Sequence, residues 1–96
     1  MADKAVHVRI SGLVQGVFFR VSTREAALQL RLVGWVRNRR DGSVEAFFQG
    51  PAEAVDRAVA WCHRGPSGSR VERVEVRPAD WDPRLDGFSV LKEMPG

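Results

Sequence analysis

Residues 6–20 read VHVRISGLVQGVFFR, and the hydrophobic pattern changes period along this stretch. From Val6 to Ile10, apolar residues occupy every second position, which predicts a β-strand with one buried face. Further on, small and apolar residues recur at helical spacing, which predicts a helix over about 21–32. Gly12 and Gly16 lie between the two patterns. The stretch therefore predicts a strand joined to a helix by a glycine-bracketed loop.

The same two patterns continue along the rest of the chain. A strand at 35–38 leads through an Asp-Gly turn, which tolerates positive φ, to a returning strand at 43–49. A helix follows Pro51, where the missing N–H costs nothing, and carries its apolar residues on one face. We expect a strand over 71–77 that Pro78 stops, and a short last strand at 88–91.

This order of elements predicts an α+β fold of the ferredoxin-like βαββαβ type. Such a sandwich has an antiparallel sheet with two helices on one face, and here we add a short C-terminal strand. We expect residues 1–96 to form a single domain, since the length suits one core. The fold alone fixes no function, because this architecture hosts many activities.

Composition excludes some classes of function and selects no single ligand. The formal charge is +3 and the sequence pI is near 10.0, which suits anionic ligands in general. Cys62 is the single cysteine, so no internal disulfide forms, and its position on an apolar helix face predicts a buried, inert thiol. No Cys/His spacing typical of zinc occurs, and we expect no metal and no cofactor. Without an apolar leader or span, we expect a cytoplasmic protein.

The glycine-bracketed loop has the features of an anion cradle. Glycines allow tight bends in which successive N–H groups converge, and the first N–H groups of a helix are unpaired. Arg20, at the helix start, adds a planar fork that can grip two oxygens. The loop lacks the Lys-Ser or Lys-Thr of a nucleotide P-loop. A plain strand–helix connection with a surface arginine is the alternative reading of the glycine spacing alone.

Two segments carry a family resemblance. Residues 10–20, ISGLVQGVFFR, resemble the first acylphosphatase signature. Residues 34–38 (GWVRN), then 41–44 (DGSV) and Gly50, are similar to the second. The resemblance covers nearly the whole chain. It implies a small free-standing bacterial-type acylphosphatase, a metal-independent hydrolase that splits the carboxyl–phosphate bond of acyl phosphates.

The resemblance also implies roles for single residues. Arg20 would bind the phosphoryl group, and Asn38 would hold and orient the attacking water. The backbone N–H groups that would complete the phosphate-binding loop belong to Gln15, Gly16, Val17, Phe18, Phe19 and Arg20. Because Val36 and Asn38 occupy alternate positions of one strand, we expect Asn38 to face the helices with Val36. An asparagine beside a turn is otherwise most often a local cap.

The implied partner is a small-molecule acyl phosphate, and inorganic phosphate or sulfate would occupy the cradle. We expect no nucleic-acid partner, no membrane and a monomer. Two residues depart from the family pattern. Arg31 stands where many members have glycine and should be peripheral, whereas Arg39, in place of a small polar residue, should lie nearer the site.

Three alternatives remain open from the sequence. The chain could be a ferredoxin-like RNA- or anion-binding module without catalysis, since such sheets bind RNA through exposed aromatic rings. It could act like the acylphosphatase-like domains of larger proteins, such as a hydrogenase-maturation factor acting on carbamoyl phosphate. It could also be a vestigial domain, although the pair of Arg20 and Asn38 is intact.

Overall fold

The computed structural model describes residues 2–93. In chain order the elements are β1 (Asp3–Leu13), α1 (Phe19–Gln29), β2 (Val33–Asn38), β3 (Val44–Pro51), α2 (Ala52–Arg64), β4 (Arg70–Ala79) and β5 (Phe88–Val90). Within the described residues, neither helix has the length and apolarity that a membrane crossing requires.

The seven elements form one five-stranded sheet covered by two helices. The strand order is β4-β1-β3-β2-β5, and the β1–β3, β1–β4 and β2–β3 pairs are antiparallel. This confirms the βαββαβ arrangement that the sequence predicts. The C-terminal strand differs from its neighbours, since β5 runs parallel to β2 and makes the sheet mixed.

The core lies between the sheet and the helices. The period-two pattern of β1 places Val6, Val8 and Ile10 on the buried face of the sheet, as expected. The helices contribute one buried stripe each, at three- and four-residue spacing. These stripes consist of Phe19, Thr23 and Ala27 on α1 and of Val55, Ala58 and Cys62 on α2. Burying one large apolar side chain in this way contributes about 1.5–3 kcal/mol.

Several strands are longer than the sequence predicts, and β4 and β1 show the physical reasons. The expectation that Pro78 stops β4 is wrong, since β4 continues to Ala79 with Pro78 opposite Val6. β4 is an edge strand, where a residue without an N–H is tolerated. β1 likewise passes through Gly12 to Leu13 by way of a bulge. A side chain at Gly12 would place its Cβ 2.2 Å from the carbonyl oxygen of Arg70, so the close approach of β4 requires glycine here.

The conformation at the end of α1 shows why glycine is common at position 31, the first departure from the family pattern. Arg31 has a φ of 58°, in the left-handed region. The N–H of Leu32 donates to the carbonyl of Ala27 (2.9 Å), and the N–H of Arg31 donates to that of Leu28 (3.0 Å). These two bonds form a Schellman motif, whose left-handed position favours glycine. The helix therefore ends earlier than its predicted limit. As expected, Arg31 is peripheral, since the 11-residue α1 places it about 16 Å from the loop before the helix.

Replacing Arg31 with glycine should raise the free energy of unfolding by about 1 kcal/mol, because the left-handed conformation is costly for residues with a Cβ. Urea denaturation measures this change as a higher midpoint. Gln29→Gly is the matched control, since Gln29 is helical and glycine there should lower stability by about 0.5–1 kcal/mol. A lower midpoint for Arg31→Gly would contradict the assignment.

Candidate active site

The loop between β1 and α1 presents a row of backbone N–H groups. Gly16 and Phe18 have left-handed φ values of 75° and 60°, whereas Val17 between them does not have a positive φ. Alternation of this kind turns successive N–H groups toward one point. Within residues 2–93, no hydrogen-bond acceptor faces the N–H groups from Gln15 to Phe18. The loop therefore offers several free donors at one place.

The start of α1 adds to this concentration of donors. Phe18 is the N-cap residue and makes no side-chain capping bond, and the first turn of α1 contains no acidic residue. The N–H groups of the first turn and the positive end of the helix dipole are thus left uncompensated. Gly16 is needed here for its conformation alone, since a Cβ on it would meet no atom within 4 Å. This is the arrangement that binds anions at helix N-termini.

A cleft of about 200 Å³ opens beside the loop and brings together residues from two elements. Arg20 lines it from the first turn of α1, and Asn38 lines it from the end of β2. Val14, Gly16, Phe18, Phe19 and Val21 complete the lining. Of the loop residues predicted from the sequence, Gln15 and Val17 are outside this lining.

Asn38 brings an unpaired oxygen to the cleft. Its neighbour Val36 is fully buried on the helix side of β2, and the alternation of the strand puts Asn38 on the same side, as expected. The side-chain oxygen Oδ1 of Asn38 is buried and has no hydrogen-bond partner among the described residues. A buried acceptor without a partner costs about 1–3 kcal/mol, so it is typical of a site whose partner is a ligand or water.

The side chain of Gln15 fixes the loop to the rest of the site. Its Nε2 donates to the carbonyl oxygens of Arg39 (2.7 Å) and Ser43 (2.9 Å), at the two ends of the β2–β3 turn. This cross-link holds the loop next to the strand end that carries Asn38. Nothing in the sequence indicates this cross-link, since both acceptors are backbone carbonyls far along the chain, and the family resemblance implies a role only for the backbone N–H of Gln15.

Arg39 lies beside the site through its backbone alone. Its carbonyl accepts the bond from Gln15, whereas its guanidinium turns to the open face of the sheet. There, Nη1 lies 3.3 Å from Glu45, and Nε lies 3.8 Å from Asp41. The expectation that Arg39 lies near the site therefore holds for its main chain, and its side chain is outside the cleft lining.

Glu45 pairs with several basic side chains on the open face of the sheet. It is 5% exposed and accepts from Arg37 Nε at 2.5 Å, from Arg39 at 3.3 Å and from His7. Burial raises the pKa of this carboxyl, but the hydrogen bonds and charges of Arg37 and His7 outweigh burial and hold the pKa below its ordinary value of 4.5. His7 thus lies on the open face of the sheet and is paired there.

Replacing Glu45 with glutamine should lower stability at pH 7 by about 1–2 kcal/mol, since two arginines lose their partner. The pKa of Glu45 is lowered by folding, so its contribution is full above about pH 4.5 and is lost as pH falls through the lower folded value. Urea titrations between pH 7 and 3 should therefore show a shallower acid loss in Glu45→Gln. Glu72→Gln, on the exposed edge strand, is the control. Equal acid slopes in wild type and Glu45→Gln would contradict the assignment.

The other candidate side chains lie outside the cleft. Cys62 is buried on the core face of α2, as expected, and burial raises the pKa of its thiol to about 12. Among the residues that line the cleft, Arg20 is the one ionisable side chain. Over residues 2–93, His, Cys, Asp and Glu form no group of three or more that could hold a metal ion.

Fold and cleft together define a class of protein: a ferredoxin-like sandwich with free amides, an arginine and an asparagine gathered at one helix start. The acylphosphatase family model matches residues 6–90. The chain therefore belongs to the acylphosphatase family.

Individual relatives agree with this membership. An acylphosphatase of Rubrobacter xylanophilus is 56% identical over 87 residues, which is 91% of this chain and 79% of the relative. An acylphosphatase of Pelotomaculum thermopropionicum is 44% identical over 90 residues, covering 94% and 98% of the two chains. The solved structure of an acylphosphatase from Coxiella burnetii matches with a TM-score of 0.88 at 35% identity, over 93% of each chain.

These similarities confirm the family that residues 10–20 and 34–50 predict, and with it the expectation of an enzyme of this class. The roles of Arg20, Asn38 and the loop amides stay predictions, to which the geometry of the cleft now gives a physical basis.

Proposed function

We propose that the protein hydrolyses the carboxyl–phosphate bond of acyl phosphates in the cleft between the β1–α1 loop and the end of β2. The observation that carries this proposal is a juxtaposition. The unpartnered Oδ1 of Asn38 and the guanidinium-bearing Arg20 line one cleft at the uncapped start of α1.

The loop and Arg20 hold the phosphoryl group. The free N–H groups from Gln15 to Phe18 donate to its oxygens, and the positive end of α1 favours its negative charge. The planar fork of Arg20 takes two oxygens at once. Phosphoryl transfer spreads charge over the equatorial oxygens in the transition state, so these fixed donors stabilise the point where charge develops.

Asn38 positions the attacking water. Its buried Oδ1 accepts a hydrogen bond from the water and holds it in line with the bond that breaks. A neutral carboxamide cannot act as a strong base, and the cleft lining offers no other. The proton of the water therefore passes to a phosphoryl oxygen of the substrate itself.

The leaving group explains why so few residues suffice. Water attacks phosphorus, the P–O bond to the acyl group breaks, and the bond's electron pair leaves on a carboxylate. Carboxylic acids ionise at about pH 4, so this oxygen departs without a proton from a general acid. The products are the carboxylate and inorganic phosphate, which the same cradle can hold.

RNA binding has weaker support than hydrolysis. The open face of the sheet does carry stacked rings, with Trp35 and Phe47 6.1 Å apart. However, the guanidinium of Arg37 lies 4.7 Å over the ring of Trp35 and covers a face on which a base would stack. We accordingly propose that the protein acts on a small molecule, has no nucleic-acid or membrane partner, and is a monomer in the cytoplasm. Light scattering and a salt-dependent RNA-binding assay test the monomer and the absence of RNA binding.

The direct test is hydrolysis of benzoyl phosphate with and without EDTA. We expect equal rates, because the proposed steps use only groups of the protein and of the substrate, and a chelator removes neither. The pH profile should be broad, without a limb from a histidine, and inorganic phosphate should inhibit competitively. An alkyl phosphate such as glycerol phosphate is the control, because its alkoxide leaving group needs a general acid that the cleft lining lacks. Loss of turnover in EDTA, or equal cleavage of the alkyl ester, would contradict the proposal.

A further inference from the structure

The mouth of the cleft carries apolar side chains that the hydrolytic steps do not use. Phe18 is 80% exposed, and Val21 is 51% exposed. Both line the cleft with Arg20 and Asn38. Since Phe18 and Val21 line the same cleft, both side chains lie at the face of the loop–helix junction that borders the cleft.

Phe18 is unfavourable twice over in the free protein. It holds a left-handed φ of 60°, which is rare for a bulky residue, and it leaves a phenyl ring in water. Strained backbone of this kind concentrates at functional sites. The backbone at Phe18 serves the cradle, but nothing in that role requires an aromatic side chain.

The direction of attack places the acyl group at this mouth. The Oδ1 of Asn38 is buried, so the water that it holds lies at the deep wall of the cleft. In-line displacement puts the leaving group on the opposite side of phosphorus from the water. The acyl group therefore points outward, toward the exposed side chains of Phe18 and Val21.

We propose that Phe18 and Val21 form an apolar subsite for the acyl group, so that the protein prefers acyl phosphates with aromatic or long aliphatic acyl groups over acetyl and carbamoyl phosphate. This inference rests on the proposed function. The phenyl ring of Phe18 stacks on an aryl group or covers an alkyl chain, and Val21 closes the side of the contact. A methyl or amino group is too small to reach both side chains.

The test compares kcat/KM for benzoyl phosphate with kcat/KM for acetyl phosphate. We expect a clear preference for benzoyl phosphate in the wild type. Phe18→Ala should reduce the ratio about tenfold and Val21→Ala about threefold, while Phe18→Leu should restore part of the loss. The inhibition constant of inorganic phosphate should change little in Phe18→Ala, since alanine keeps the backbone N–H.

Leu13→Ala is the matched control. Leu13 is 58% exposed and precedes the loop, but it is outside the cleft lining, so its removal should leave the ratio unchanged. An unaltered ratio in Phe18→Ala, or an equal loss for both substrates, would overturn the subsite while acetyl phosphate hydrolysis still supports the proposed function. If the wild type hydrolyses neither substrate, the proposed function fails, and the subsite fails with it.

Discussion

Replacing Arg20 with alanine should lower kcat/KM for benzoyl phosphate by about 10³–10⁵-fold, the range seen when an arginine that stabilises a transferring phosphoryl group is lost. The backbone N–H groups of the loop remain in this variant, but they carry only partial charges. Without the guanidinium, the developing charge on the equatorial oxygens has no full countercharge in the cleft lining. Initial rates with benzoyl phosphate and the inhibition constant of inorganic phosphate should both show the loss.

Two further variants separate the guanidinium fork from simple positive charge. Arg20→Lys keeps the charge but contacts one oxygen instead of two, so we expect a loss of about 10²-fold or more. Arg40→Ala removes an exposed arginine from the β2–β3 turn, outside the cleft lining, and should leave the rate within about twofold of wild type, because salt screens the charge of an exposed side chain. Comparable losses in Arg20→Ala and Arg40→Ala would mean that general electrostatics, and not a bound phosphoryl group, sets the rate.

Asn38→Ala should lower kcat about 10²–10³-fold with little change in KM, because the contact to the attacking water is made on the way to the transition state. The same variant should keep or gain stability. The Oδ1 of Asn38 is buried and has no hydrogen-bond partner in the described part of the chain, so its removal takes away an unsatisfied acceptor. Urea denaturation and steady-state kinetics on one preparation test both halves of this prediction.

Asn38→Asp provides the contrast. A carboxylate could still accept a hydrogen bond from water, but it would repel the phosphoryl group, so KM should rise as kcat falls. Unchanged turnover in Asn38→Ala would refute the water-orienting role. A lower stability in Asn38→Ala would instead show that the carboxamide has a structural partner.

The sequence predicted the features that depend on local pattern. The alternation from Val6 to Ile10, the change to helical spacing after Phe19 and the Asp-Gly turn depend on short-range geometry, and the structure has each of them. The family signatures located Arg20 and Asn38, which the fold then brings into one cleft. Their separate elements meet because α1 and β2 pack against each other.

Features that depend on long-range contact could not be predicted. The cross-link from Gln15 ends on backbone carbonyls, which leave no trace in residue identity. β4 continues through Pro78 because it is an edge strand, and the residues of β4 alone do not indicate its position in the sheet. Arg31 occupies the left-handed position of a Schellman motif, where glycine is usual. Because the residue is an arginine, its type could not indicate the motif.

The hydrogen bonds from Gln15 to the β2–β3 turn affect the stage at which the entropy of assembling the site is lost. They join the β1–α1 loop to the strand end that carries Asn38 before any substrate arrives. The entropy of assembling the site is then lost during folding and not again in each catalytic cycle. We therefore expect bond cleavage or product release, and not closure of the loop, to limit the rate of turnover.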